Sequence, residues 1–229
     1  MINKKKIIAL VPARGGSKGI KLKNLKKIKN KSLIEITSDF IDSCKFIDKK
    51  FLSSDNKKII DHSKKLNFEI IKRNKKLSGD KISDFQVINE AIKHIKYKIN
   101  LNIDYLVYLQ PTSPIRKKNH LHKALKKVIK SNFDGSWSIT KVDKKFHPLK
   151  MLNISKNRLK ICDDKGKKII ARQMLTPVYS RNGVFYIFKV NKLMKKKTIY
   201  LENLLPSITN YQIVNIDTKD DLELAKKLL

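Results

Sequence analysis

Two kinds of apolar pattern take turns along the chain. Short unbroken runs alternate with longer stretches whose apolar positions recur every three to four residues. Unbroken runs are what strands buried on both faces require, and the 3.6-residue period marks helices lying on a sheet. The runs predict strands at Ile7–Val11, Lys49–Ser53, Phe68–Lys72, Tyr105–Leu109, Asp134–Lys141, Gly183–Lys189 and Gln212–Ile216. The periodic stretches predict helices over Ser32–Phe46, Lys57–Leu66, Ser83 to about Tyr97, Asn119–Ile129, Asn191–Lys195 and Lys219–Leu229. In the first helix Leu33, Ile36, Phe40, Ile41 and Cys44 form the inward stripe. The last has Thr218 as its N-cap, with Asp221 completing a capping box.

Strand and helix in strict alternation predict an α/β fold: a Rossmann-like, mostly parallel sheet with helices on both faces. Residues 142–181 break the rhythm. They are charged and weakly periodic, contain His147-Pro148-Leu149-Lys150, and carry a hairpin-turn signal at Asp163-Asp164-Lys165-Gly166. The reading is one domain, 1–229, with 142–181 as an inserted dimerisation or lid segment.

In parallel sheets of this kind a ligand sits beyond the carboxyl ends of the strands. The segments richest in chemistry fall there: Arg14–Asn24, Ser54-Asp55, Arg73 and Gln110–Arg116. The first follows the opening strand and reads RGGSKGIKLKN. Its glycines let backbone N–H groups approach an anion closely, and Arg14, Lys18 and Lys23 supply charge for a polyphosphate. It matches neither G-x-x-x-x-G-K-[ST] nor G-x-G-x-x-G. Three of the chain's seven glycines lie within five residues here, which favours a purpose beyond a plain turn.

The formal charge of +33 raises the question of a nucleic-acid partner. Of the 53 basic residues only six are arginine, and the lysines are spread over every segment. A specific nucleic-acid binder concentrates its cations on one face and interleaves aromatics with them. The composition therefore implies nonspecific polyanion binding at low salt and no specific nucleic acid. Cys44 and Cys162 form neither a disulfide framework nor a metal spacing; Cys44 reads as core. His120 and His122 are two apart, the wrong period for one helix face, and read as solvated. No run reaches the roughly 20 apolar residues of a membrane span. The basic start resembles a signal peptide, but its apolar part is too short, and a cytoplasmic protein is expected.

Six segments together resemble the CMP-sialic acid synthetase (acylneuraminate cytidylyltransferase) family: ALVPARGGSKGIKLKN, LSSD, LQPTSPIR, HPLK, ARQ…SRNGVFYI and NIDTKDDLELA. The resemblance runs from residue 7 to the end of the sequence, and its first and third segments are highly specific. It implies a nucleotide-diphospho-sugar transferase type of sheet. The implied reaction joins CTP to the anomeric hydroxyl of a nine-carbon acidic sugar and releases pyrophosphate, with magnesium, in a homodimer, for surface polysaccharide biosynthesis. Arg14, Gly15, Gly16, Ser17, Lys18 and Lys23 would cradle the triphosphate, and Asn24 and Arg73 would contact the nucleotide. Segment Ser78–Asp84 aligns with the stretch that binds cytosine through backbone. Asp217 would hold magnesium and, with Arg14, Lys18 and Lys23, form the catalytic set. Gln110, Asn182 and Tyr186 would meet the sugar. Lys150 and Arg172, in the excursion, would reach a partner's site and its acidic sugar.

The chain departs from the family pattern twice. Asn215 stands where many members carry a second aspartate, which leaves the number of metals open. Ser180 stands where an arginine is common, and Arg181 follows it. In an extended segment the Arg181 side chain points to the other face. This admits a relative of sialic acid such as legionaminic or pseudaminic acid as substrate.

Blander readings stand beside these. Without the family match Arg73 also reads as a solvated strand end, Asp217 as a helix cap, Gln110-Pro111-Thr112 as a turn, and Tyr186 as core. Asp55 reads as the cap of the second helix. A synthetase for the eight-carbon sugar KDO, a basic nucleic-acid-binding protein and a catalytically silent paralogue are the competing functions.

Overall fold

The computed structural model describes residues 4–229. In chain order its elements are β1 (Ile7–Pro12), β2 (Lys27–Ile28), β3 (Lys31–Ser32), α1 (Leu33–Ser43), β4 (Lys49–Ser54), α2 (Lys57–Lys64), β5 (Glu69–Lys72), α3 (Asp84–Lys98), β6 (Tyr105–Tyr108), α4 (Lys118–Lys130) and β7 (Gly135–Lys141). They continue with β8 (Leu152–Ser155), β9 (Arg158–Ile161), β10 (Tyr179–Lys189), α5 (Val190–Lys196), β11 (Leu204–Ile208) and α6 (Lys219–Leu228). Seven strands form one sheet in the order β11-β7-β10-β6-β1-β4-β5. All its pairings are parallel except those of β10, which runs antiparallel to both β6 and β7.

The alternation of side chains along β1 explains the layers. Ile7, Ala9 and Val11 face one side and join α1, α2 and α4 through Ile34, Ile41, Ile59, Leu121 and Leu125. Ile8 and Leu10 face the other and meet Ile88, Ile92 and Ile95 of α3 and Leu193 of α5. Both faces are thus covered, as the unbroken apolar runs require. From β1 the chain moves outward to β4 and β5, then returns across to β6. The order therefore reverses between β1 and β6, which opens a crevice beyond their carboxyl ends.

Four expectations change. Residues 212–216 are not a strand. Val214 and Ile216 instead fill a third apolar cluster with Ile20, Ile28, Leu33 and Ala225, and the Ile216 amide donates to the Thr112 carbonyl at 2.8 Å. The last strand is Leu204–Ile208, whose Pro206 marks an edge position where the missing N–H costs no ladder bond. The hairpin of the excursion turns at Lys156-Asn157, both in the left-handed region, and residues 164–168 form a 3₁₀ turn instead. β10 begins at Tyr179, so the excursion occupies 142–178 and the NG segment lies inside an eleven-residue strand. The two histidines are half-buried rather than solvated: His122 stacks on Phe46 at 4.8 Å, and His120 meets Phe185 and Tyr211 edge-on.

Candidate active site

A cavity of about 650 Å³ opens at the carboxyl ends of β1, β5 and β6. Arg14, Ser17, Lys18, Lys23, Asn24, Arg73, Gln110, Tyr186 and Asp217 all line it. Nine positions singled out from sequence thus share one wall-to-wall space, within the size range of small-molecule sites.

The glycine loop is held from three directions. Ala13 N–H donates to the Ser53 carbonyl at 2.9 Å, and Gly15 N–H donates to the Asp55 carboxylate at 2.9 Å. Asp55 is therefore the anchor of this loop; the cap of α2 is Asn56, which accepts from Ile59 N–H. Asn24 Nδ2 donates to the Arg14 carbonyl at 3.2 Å. Gly19 packs so closely on the Asp217 backbone that a Cβ would collide with the Asp217 carbonyl. The first loop and the last are thereby clamped together. Gly15 and Gly16 are absent from the cavity wall itself.

The cations carry internal counter-charges. Asp80 meets Arg14 at 2.9 Å and Lys18 at 2.6 Å, and these partners, Lys18 first, hold its carboxyl below the usual range. Lys23 meets Asp217 at 2.7 Å. Arg73 is buried and donates to the Ser53 hydroxyl and carbonyl at 3.0 and 2.9 Å, while burial pulls its pKa down. A strand-end arginine that were merely solvated would not lie beneath the cavity. Asp217 is not a cap: Thr218 caps α6, and Asp221 accepts from the amides of both Thr218 and Asp217. The Asp217 carboxylate is left on the wall, 78% exposed.

Opposite the loop, Tyr108 donates to Asp84 at 2.9 Å at the start of α3, and burial followed by Asp84 raises its pKa well above normal. Arg116 donates to the carbonyls of Gln110 and Val184, tying the Gln110 turn to β10. Tyr186, its pKa raised by burial, packs edge-on against Trp137.

Besides Gly15 and Gly16, three expected residues lie elsewhere. Asn182 is buried behind the wall: its Nδ2 donates to Thr140 and Thr209 at 2.9 and 2.8 Å, and its Oδ1 accepts from Val184 N–H. Its polar atoms are consumed by the scaffold, so it supports the site without facing it. Lys150 and Arg172 are exposed on the excursion and do not line the cavity.

Sequence reading missed Asp80, Asp84, Tyr108 and Arg181 on the wall. The Asp80 and Asp84 positions fall within the stretch aligned to base recognition, the one signal that pointed to them. Arg181 enters the cavity because β10 is not regular there. Its register on β7 shifts between Arg181 and Tyr186, around Gly183 at φ +69°.

The sequence matches the profile described as cytidylyltransferase over residues 8–228. The chain belongs to this cytidylyltransferase family. It is 27% identical over 223 residues to an N-acylneuraminate cytidylyltransferase of Streptococcus agalactiae serotype V, covering 94% of this chain and 51% of that protein. The chain thus spans about half the length of that relative. It is 29% identical over 225 residues to a pseudaminic acid cytidylyltransferase of Campylobacter jejuni, covering 97% of this chain and 96% of the other. Among solved structures it resembles a CMP:2-keto-3-deoxy-manno-octonic acid synthetase complexed with CTP, with TM-score 0.70, 12% identity and 98% of each chain covered. A 4-diphosphocytidyl-2C-methyl-D-erythritol synthase gives TM-score 0.72 at 11% identity, again over 98% of each chain. These two likenesses show the fold.

Proposed function

We propose that this protein transfers CMP from CTP to the anomeric hydroxyl of a nine-carbon 2-keto-acid sugar and releases pyrophosphate. The observation that carries this reading is that those nine positions line one cavity of a cytidylyltransferase-family chain. Arg14, Lys18 and Lys23 stand on one side of it, and Gln110 and Tyr186 on the other. The relative covered almost end to end is named for pseudaminic acid, which favours nine carbons over the eight of KDO.

Phosphoryl transfer depends on positioning and on neutralising charge. On this reading the sugar oxygen attacks the α-phosphorus while the bond to the pyrophosphate oxygen breaks. Arg14, Ser17 and Lys18 hold the phosphates, exchanging the Asp80 carboxylate for them. Asn24 and Arg73 fix the nucleotide from below. Gln110 and Tyr186 orient the sugar so that its hydroxyl faces the phosphorus.

Magnesium fits this wall through Asp217. Among the described residues no group of three or more His, Cys, Asp or Glu gathers, and the Asn215 amide oxygen already accepts from Ser113 at 2.6 Å. Magnesium bound to substrate phosphates needs only one or two carboxylates, and one exposed carboxylate stands here. When bound it would supply charge neutralisation of the triphosphate.

The excursion exposes Leu152, Ile154, Leu159 and Ile170. We infer that a second copy covers them and that Lys150 and Arg172 serve across that contact. Ile154→Glu with Leu159→Glu should convert a dimer to a monomer in analytical ultracentrifugation. CTP and its product suit a cytoplasmic enzyme that supplies surface polysaccharide assembly.

The deciding assay follows pyrophosphate release from CTP and magnesium with N-acetylneuraminic, legionaminic and pseudaminic acids and KDO. Release with a nine-carbon acid is expected. No release with any of the four, from folded protein, would overturn the reading.

A further inference from the structure

We propose that Arg181 is the receptor for the carboxylate of the acidic sugar and sets the requirement for an acid. This rests on the transfer reaction above.

In an unbroken strand, residues 181 and 186 stand an odd number apart and face opposite sides. Here Arg181 pairs with Ile139 while Tyr186 pairs with Trp137, so three extra residues of β10 are looped out between them. Gly183 makes that loop possible, and the result puts Arg181 and Tyr186 on one cavity wall beside Gln110. A strand of this length that bends only here re-aims a side chain.

The guanidinium is then held in place by rings. Its central carbon lies 5.3 Å from the Trp137 ring centre and 5.4 Å from that of Tyr200. Cation–π contact with two rings positions the guanidinium without using its N–H groups. Those groups have no hydrogen-bond or ion-pair partner among the described residues. The other cavity cations differ: Arg14 and Lys18 meet Asp80, Lys23 meets Asp217, and Arg73 donates to Ser53 through Nε and Nη2. So a preorganised, exposed fork stands on the sugar side, in a chain that uses lysine for nearly every other charge. Such a fork matches a carboxylate bidentately, which a lysine does not. In a 2-keto-acid sugar the carboxylate sits on the anomeric carbon, next to the attacking hydroxyl. Clamping it orients that hydroxyl directly. The role falls within the same chain, whereas the family resemblance places Lys150 and Arg172 at a partner's acidic sugar.

The test uses Arg181→Gln and Arg181→Lys with the acid sugar that the panel finds active, and with its methyl ester. Arg181→Gln should raise the sugar KM about thirtyfold while leaving the CTP KM within about twofold, with Arg181→Lys between. Wild type should reject the ester, and Arg181→Gln should treat ester and acid alike. An unchanged sugar KM in Arg181→Gln, or equal use of ester and acid by wild type, overturns the assignment.

A second readout needs no turnover. Trp137 is the only tryptophan of the chain and lies against Arg181. Each acid of the panel is titrated with CDP and magnesium present, and tryptophan emission is followed. A shift in wild type that is lost in Arg181→Gln supports the carboxylate site, even if no pyrophosphate is released and the transfer reading falls. Silence in both assays across the panel overturns both.

Discussion

Lys18 and Lys23 flank the same cavity but differ in what surrounds them. Lys18 is 82% exposed, held only by the exposed Asp80, whereas Lys23 is 13% exposed and pinned to Asp217. Lys18→Ala should therefore leave the melting temperature unchanged while slowing turnover about a hundredfold, the scale of losing one preorganised charge contact. Parallel thermal denaturation and pyrophosphate assays check this; near-normal turnover would remove Lys18 from the phosphate cradle. Asn182 should behave in the opposite way. Asn182→Ala strips partners from Thr140, Thr209 and the Val184 amide in a buried place. A loss of about 2–3 kcal/mol in denaturant unfolding is expected. The contrast shows what was legible at this scale. That Arg14, Lys18 and Lys23 would line the cavity could be read because they are contiguous with a glycine loop at a strand end. Asn182 was misread because its motif gives no hint that hydroxyls from two other strand ends converge on it. Asp80 escaped because its partners are more than sixty residues away in sequence.

Elements were legible where a run or a period was strong, and less so where irregularity does the positioning. The central strands and the long helices fall where their patterns put them. Ile213, Val214 and Ile216 imitate a strand, yet Val214 and Ile216 are buried against Ile20 and Ala225 in irregular packing beneath the loops. Leu204–Ile208 was hidden by Pro206, which only an edge strand tolerates. The β10 bulge is the most consequential case, because alternation alone sent Arg181 to the wrong face. Gly183 tests it. A Cβ there would lie 2.7 Å from the Ser113 hydroxyl and 3.0 Å from the Gln110 side-chain oxygen, at a φ that L-residues adopt poorly. Gly183→Ala should cost about 1–2 kcal/mol of stability. It should also raise the sugar KM more than the CTP KM, because Gln110 and Arg181 shift while the cradle stays. Equal effects on both substrates, in steady-state kinetics, would mean that the bulge does not separate a sugar side from a nucleotide side.

At the scale of the whole molecule the charge of +33 and the cavity belong to different physics. In the cavity Asp80 and Asp217 offset part of the charge of Arg14, Lys18 and Lys23, while Arg73 and Arg181 have no acidic partner there among the described residues; against a total of +33 the outward field still comes mainly from lysines scattered over the surface. Many helices show this: α4 ends in Lys126, Lys127 and Lys130 on its solvent side, with Leu121, Leu125 and Val128 buried beneath. A surface of that kind gathers counterions and binds any polyanion, with an affinity that collapses as salt rises. Binding to a DNA duplex, followed by fluorescence anisotropy, should be measurable at about 20 mM salt and absent by about 200 mM, without sequence preference. The two sites should also be independent. Saturating CTP with magnesium should leave the anisotropy unchanged once ionic strength is matched, because the proposed function puts CTP in the crevice between β1 and β6 and the duplex on the lysines outside. Displacement of the duplex by CTP at matched ionic strength would place nucleic acid in the cavity and return the charge to the centre of the function.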